Sequence, residues 1–176
     1  MQDKINVLID EETIDKRVKE IAQQISENYK GKDIHLICVL KGGVFFMCEL
    51  AKRISADINV SMDFMAVSSY GSGTESSGNI KIIKDLDEPI KDKHVLIVED
   101  IIDSGRTLSK LVELLKHREP ASLEICTLLD KPDRRVVEIE VSYTCFVVPD
   151  AFVVGYGLDY DQKYRNLPYI GVVEVE

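Results

Sequence analysis

Val95-Leu-Ile-Val-Glu-Asp-Ile-Ile-Asp-Ser-Gly-Arg-Thr-Leu108 is the stretch on which the fold turns. His94 to Val98 is a short apolar run, the mark of a strand buried in a sheet. Adjacent carboxylates follow at Glu99 and Asp100, a third stands at Asp103, and Ser104-Gly105-Arg106 then leads into a helix. That helix is predicted from Thr107 to His117, with Leu108, Leu111, Val112 and Leu115 on one side. Leu123 to Leu129 supplies the next strand, and strand, helix, strand is the βαβ rhythm of a parallel sheet.

The same rhythm extends towards the N-terminus. From Glu11 to Tyr29 the apolar positions Ile14, Val18, Ile21, Ala22 and Ile25 recur at helical steps, with Gly31 placed for a left-handed cap. Ile34 to Leu40 is too continuously apolar for a strand with one wet face, so it reads as covered on both sides. Lys41-Gly42-Gly43 closes it, Val44 to Ile54 reads as a helix and Ile58 to Val67 as a strand. Tyr143 to Val148, Phe152 to Val154 and Tyr169 to Val175 are further strand candidates. Gly71 to Asn79 contains no large apolar residue to anchor it and is expected to move. The expected architecture is α/β, a central, mostly parallel twisted sheet flanked by helices, with a small appended lobe.

Composition narrows the function. With 176 residues, 45% hydrophobic, the chain suits one globular unit with a sizeable core. Its 22 basic and 31 acidic residues give a net charge of -9, which disfavours a nucleic-acid binder. No run approaches the roughly 18–20 apolar residues of a membrane span, and no signal peptide opens the chain, so a cytoplasmic protein with no membrane partner is expected. Cys38, Cys48, Cys126 and Cys145 are widely spaced and read as reduced core residues.

In open α/β sheets ligands bind beyond the carboxyl ends of the strands. After Val98, Gly105 permits a tight turn, and backbone N–H groups with the hydroxyls of Ser104 and Thr107 can surround a phosphate at the helix N-terminus. Carboxylates beside a phosphate cradle make sense if they face hydroxyls or a metal, so the pieces suit a phosphorylated sugar, with ribose hydroxyls on Glu99 and Asp100. There is no GxxxxGK[ST] motif, and Gly155-Tyr-Gly157 lacks the third glycine of a dinucleotide fingerprint.

Val95 to Leu108 resembles the phosphoribosyl-pyrophosphate signature of the type I phosphoribosyltransferases, and the chain is similar to their purine-salvage branch. Leu40-Lys-Gly-Gly43, Ser68-Ser-Tyr-Gly71, Leu128-Leu-Asp-Lys131 and Pro149 to Tyr160 occur in the family's order and spacing. The resemblance covers roughly residues 5 to 172. It implies a single domain over 1–176: a core of about 30–150, a lid of about 68–80, and a hood from the N-terminal segment and about 150–176. The implied reaction joins phosphoribosyl pyrophosphate to hypoxanthine or guanine, giving IMP or GMP and pyrophosphate, with Mg²⁺ as cofactor in a homo-oligomer, a dimer or tetramer.

Site roles follow from the same resemblance. Asp103 is implied as the general base at purine N7, and Glu99, Asp100 and Asp159 as the metal-holding residues. Glu99, Asp100, Asp103, Ser104, Gly105, Arg106, Thr107 and Leu108 match the phosphoribosyl and 5-phosphate site. Lys41, Gly42 and Arg165 match pyrophosphate ligands, with Ser69 and Tyr70 in the lid and a cis peptide between Leu40 and Lys41. Lys131 corresponds to the donor to purine O6, Phe152 to the stacking ring, Val153 to the backbone reading the base edge, and Asp159 to a further purine contact. A receiver domain is disfavoured, because its acidic pair would stand near the N-terminus and its phosphoacceptor about two strands later.

Overall fold

The computed structural model describes residues 4–69 and 80–174. Its elements are β1 (Lys4–Ile9), α1 (Glu11–Asn28), β2 (Ile34–Val39), α2 (Val44–Ala51), β3 (Val60–Ser69), β4 (Ile80–Lys84), β5 (His94–Ile102), α3 (Arg106–Lys116), β6 (Ser122–Asp130), β7 (Tyr143–Val147), β8 (Val153–Val154) and β9 (Ile170–Glu174). A 3₁₀ turn at Pro132–Arg134 follows β6. The main sheet has the order β4-β3-β2-β5-β6-β7. All its pairings are parallel except that of the edge strand β4 with β3. A second, antiparallel sheet, β1-β9-β8, joins the two ends of the chain, Lys4 opposite Glu174.

The central strands are apolar on both faces because both faces are covered. Ile34, Leu36 and Cys38 of β2 and Leu96 and Val98 of β5 pack with Ile14, Val18, Ile21 and Ile25 of α1 and Phe46, Met47 and Leu50 of α2. Ile37, Val95 and Ile97 face the other way, against Leu108, Leu111 and Leu115 of α3. Val153, Leu158 and Ile170 belong to the first cluster, so the small sheet is packed into the core of the large one. Asp10 caps α1 by accepting the Thr13 N–H at 2.8 Å, with Glu11 and Glu12 favourably placed in the first turn. Leu111 is 1% exposed, and Leu111→Ala is expected to cost about 2–4 kcal/mol, read from the urea midpoint at constant m.

Several boundaries differ from the sequence reading. The strand expected over Ile58 to Val67 is shifted to Val60–Ser69, and the helix expected through Ile54 stops at Ala51. Phe152 lies outside β8, with its ring exposed. The strand read as ending at Val98 runs on to Ile102, because Glu99, Ile101 and Ile102 continue the pairing with β6. That extension carries Glu99 and Asp100 on a rigid strand instead of a loop. Cys38, Cys126 and Cys145 are buried, whereas Cys48 is exposed on the outer side of α2, a correction to the expectation of four core cysteines. Gly31 takes the expected left-handed conformation, φ +76°. Tyr70 and the expected lid through Asn79 fall outside the described residues.

Candidate active site

The strand order reverses direction between β2 and β5: β3 and β4 build outward from β2 on one side, β6 and β7 from β5 on the other. A crevice is expected beyond the carboxyl ends of these two strands. One wall is the turn after β2. The Leu40–Lys41 peptide is cis. Gly42 presses against the carboxyl of Asp100, since a Cβ there would lie 1.6 Å from Asp100 Oδ2. Gly157, at φ +102°, lies against the same turn, where a Cβ would meet the Gly42 carbonyl oxygen at 2.1 Å. The segment before β9 is thereby seated over the crevice.

The other wall is the turn between β5 and α3. Glu99, Asp103, Ser104, Gly105, Thr107 and Leu108 line a cradle of about 180 Å³ at the start of α3. Gly105 is left-handed at φ +81°, and a Cβ there would crowd Arg135, Val137 and Ile139 at 3.0 Å. N–H groups in the first turn of α3, of which that of Arg106 makes a long bond to Ser104 Oγ at 3.4 Å, and the hydroxyls of Ser104 and Thr107 give this concavity the character of a phosphate site. Arg106 begins the helix with an exposed side chain, and Leu108 is buried in the core beneath.

Beside the cradle and sharing Ile101 and Asp103 with it lies a cleft of about 410 Å³. Lys131 is 8% exposed at its edge, and its ammonium donates to the Ala151 carbonyl at 2.7 Å. Phe152 is 49% exposed and meets Tyr160 edge-to-face at 5.3 Å, leaving an aromatic face towards the cleft. Two larger grooves exist, one along α3 and one between α1 and the segment before β9. Neither gathers a phosphate cradle, a buried cation and an open aromatic ring, so the smaller cleft is the chemically organised one.

Charge is arranged against the protein's own stability. Burial, reinforced by the Asp100 carboxylate, pushes the Glu99 carboxyl well above its ordinary value of 4.5. Burial raises Asp100 as well, although its Oδ1 accepts the Ile101 N–H at 2.7 Å. A raised native pKa means stability is full below the ordinary value and is lost as pH rises through the raised one. Glu99→Gln is therefore expected to melt a few degrees above the wild type at pH 7.5. The gap should close as the pH falls towards 4.5, as read from melting curves in a pH series.

Other carboxylates are paired. Asp159 Oδ1 meets Arg165 Nη2 at 2.7 Å, and Arg165 Nη1 donates to the Gly157 carbonyl at 2.7 Å. Asp103 Oδ1 accepts Arg134 Nε at 3.0 Å, and Arg134 Nη1 reaches Asp150 at 3.6 Å. Among the described residues no group of three carboxylate, histidine or cysteine side chains stands ready to hold a metal alone.

The sequence matches the phosphoribosyl transferase domain over residues 8–161. A hypoxanthine-guanine phosphoribosyltransferase from Streptococcus thermophilus is 54% identical over 170 residues, 97% of this chain and 93% of that protein. The chain belongs to the phosphoribosyltransferase family, in its hypoxanthine-guanine branch. A hypoxanthine phosphoribosyltransferase from Escherichia coli is 53% identical over 175 residues, 98% of this chain and 97% of that one. The crystal structure of a hypoxanthine phosphoribosyltransferase from Staphylococcus aureus matches with a TM-score of 0.92 at 52% identity, covering 96% of this chain and 91% of that one.

Within this phosphoribosyltransferase fold, Glu99, Asp103, Ser104, Gly105, Thr107 and Leu108 line the cradle, while Lys131, Phe152, Val153 and Asp159 join Asp103 at the cleft. Lys41 and Arg165 reach one another through Gln162, and Gly42 abuts Asp100. The side chain of Ser69 and all of Tyr70 lie outside what is described. Arg134, Arg135, Asp150 and Gln162 were not singled out in the sequence. Arg135 ties the two subsites by pairing with Asp130 and donating to the Asp103 carbonyl at 3.2 Å. Consecutive arginines just after Lys131-Pro-Asp were the available signal.

Proposed function

We propose that the protein is a purine-salvage enzyme that transfers the 5-phosphoribosyl group from phosphoribosyl pyrophosphate to N9 of hypoxanthine or guanine, releasing IMP or GMP and pyrophosphate. The observation carrying this reading is the pair of adjoining concavities that share Ile101 and Asp103, one polar at a helix N-terminus and one bounded by an open aromatic ring and a buried ammonium. A ribose between them would have its phosphate in the cradle and its reacting carbon beside the base.

Breaking the bond at that carbon builds positive charge on the sugar and negative charge on the leaving group, so positioning and charge stabilisation supply most of the rate. Lys41, the Gly42 backbone and Arg165 receive the pyrophosphate, and Ser69 and Tyr70 close over it. Ser104 to Leu108 hold the 5-phosphate, mainly through backbone N–H groups. Glu99 and Asp100 hold ribose hydroxyls. Phe152 stacks on the purine, the Val153 backbone reads its edge, and Asp103 takes the proton from N7. Two half-buried carboxylates kept at high proton affinity are a donor set that suits a hard cation shared with substrate oxygens. Mg²⁺ held there by Glu99 and Asp100, with Asp159 nearby, would supply charge neutralisation for the departing pyrophosphate.

Lys131 selects the base. After the bond to Ala151, and with Asp150 Oδ1 at 4.0 Å, the ammonium still has protons that suit the O6 acceptor of a 6-oxopurine, whereas the amino group of adenine would face an ammonium with no acceptor between them. Lys131→Met is expected to raise the KM for hypoxanthine about 10–100-fold and to erode discrimination against adenine by a similar factor. Steady-state assays with phosphoribosyl pyrophosphate, Mg²⁺ and each of hypoxanthine, guanine, xanthine and adenine test the whole reading. Turnover of 6-oxopurines but not adenine supports it, and no turnover with any purine while phosphoribosyl pyrophosphate still binds would sink it.

We place the reaction in the cytoplasm, a reading in keeping with four free cysteines. No helix among the described residues is long and apolar enough to cross a membrane. A homo-oligomer, a dimer or tetramer, is the working unit on this reading, supported by exposed Phe45 and Met62, and light scattering tests it.

A further inference from the structure

The turn after Asp159 runs against ordinary backbone preference. Asp161, Gln162 and Tyr164 take φ of +49°, +63° and +73°, a region that side chains other than glycine seldom occupy. The turn is nonetheless well tied. Tyr160 and Lys163 exchange backbone hydrogen bonds at 3.1 and 3.0 Å, and Asp159 Oδ2 accepts the Gln162 N–H at 2.8 Å. Its effect is to bring the Gln162 amide oxygen between two cations. Oε1 accepts from Lys41 Nζ at 3.2 Å and from Arg165 Nη2 at 3.4 Å.

These cations come from different parts of the fold, Lys41 from the turn after β2 and Arg165 from the segment before β9. Like charges brought to one point repel, and an oxygen that accepts from both offsets that repulsion. Arg165 has further partners in Asp159 and the Gly157 carbonyl, whereas Lys41 has no carboxylate partner among the described residues. Backbone strain of this kind is kept where the surrounding structure enforces it, commonly at functional sites. We propose that Gln162 is a positioning residue that holds Lys41 and Arg165 convergent for the pyrophosphate end of the substrate. An amide in this place accepts from both cations without cancelling the charge of either, which a carboxylate would do. The inference rests on the reading of Lys41 and Arg165 as pyrophosphate ligands.

The test uses Gln162→Met, which keeps the length and removes the acceptor, and Gln162→Glu, which keeps the acceptor and adds charge. Lys41→Ala and Arg165→Ala report separately on the subsite. The readouts are kcat, the KM of each substrate, and the Kd of inorganic pyrophosphate with Mg²⁺, measured by calorimetry without purine. For Gln162→Met both the KM for phosphoribosyl pyrophosphate and the Kd of pyrophosphate are expected to rise about 3–10-fold, the low end for bonds from charged donors because both are long and partly exposed. The kcat and the KM for hypoxanthine should stay within about twofold of the wild type on the same scale. Gln162→Glu should weaken pyrophosphate binding at least as much, with a shallower dependence on salt. Unchanged pyrophosphate binding in Gln162→Met, with both cation variants weakened, overturns the positioning role and leaves the subsite intact. A fall in kcat alone overturns it as well. Unchanged binding in both cation variants removes the subsite reading, and the inference with it.

Discussion

Asp103→Asn is expected to lower kcat about 10²–10⁴-fold, the usual contribution of a positioned general base. Asparagine is close in shape to aspartate but has no lone carboxylate to take a proton, and it forfeits the ion pair with Arg134. Binding of phosphoribosyl pyrophosphate should change little, because on the proposed reading the 5-phosphate is held by the turn from Ser104 to Leu108, which the substitution leaves in place. The discriminating measurement is single-turnover nucleotide formation alongside the dissociation constant for phosphoribosyl pyrophosphate. A variant that turns over at the wild-type rate would remove Asp103 from the proton transfer. Arg134→Gln serves as the companion, since it removes the ion pair and leaves the carboxylate.

Gly42→Ala is expected to cost about 100-fold or more in kcat/KM, a loss well beyond that of an ordinary loop substitution. The added methyl would stand 1.6 Å from Asp100 Oδ2 and 2.6 Å from its Cγ, so either the carboxylate swings away or the turn retreats. Retreat is opposed by Gly157, which sits directly on the Gly42 carbonyl. The strain should also lower stability by about 1–3 kcal/mol, seen as a reduced urea midpoint. Gly31→Ala is the control. That glycine is also left-handed, at φ +76°, yet a Cβ there meets nothing within 4 Å. It should lose about 1 kcal/mol of stability and no activity. Equal catalytic losses in the two variants would show that packing against Asp100 is not what the site requires.

The fold was readable wherever burial is set locally. β2, β5 and β6 are continuous apolar runs, and the spacing of Leu108, Leu111 and Leu115 declares the buried face of α3. Legibility failed where a partner decides. β1 and β4 went unread because Lys4–Ile9 and Ile80–Lys84 are mixed in pattern and become strands through pairing with β9 and β3. Cys48 was misplaced since a run such as Val44-Phe-Phe-Met-Cys-Glu-Leu50 does not say which helical face is outward. In the site, the string from Glu99 to Thr107 was informative because sugar, phosphate and carboxylate chemistry crowd into one turn. Gln162 was silent, its partner Lys41 being 121 residues away, and Arg134 signalled only as one of two consecutive arginines, its partner Asp103 lying 31 residues back.

The pairing of β1 with β9 has a consequence for biosynthesis. Among the described strands β1 is made before all the others and β9 after them, so the small sheet waits for β9, and Val153 at the cleft belongs to β8, which pairs with β9. The parallel layers from β2 to β7 can assemble during translation, domain fragments being free to fold as they emerge. The β1-β9-β8 layer cannot close until β9 has been made and has left the ribosome. A nascent chain would therefore carry the cradle at the start of α3 before it carries a finished cleft.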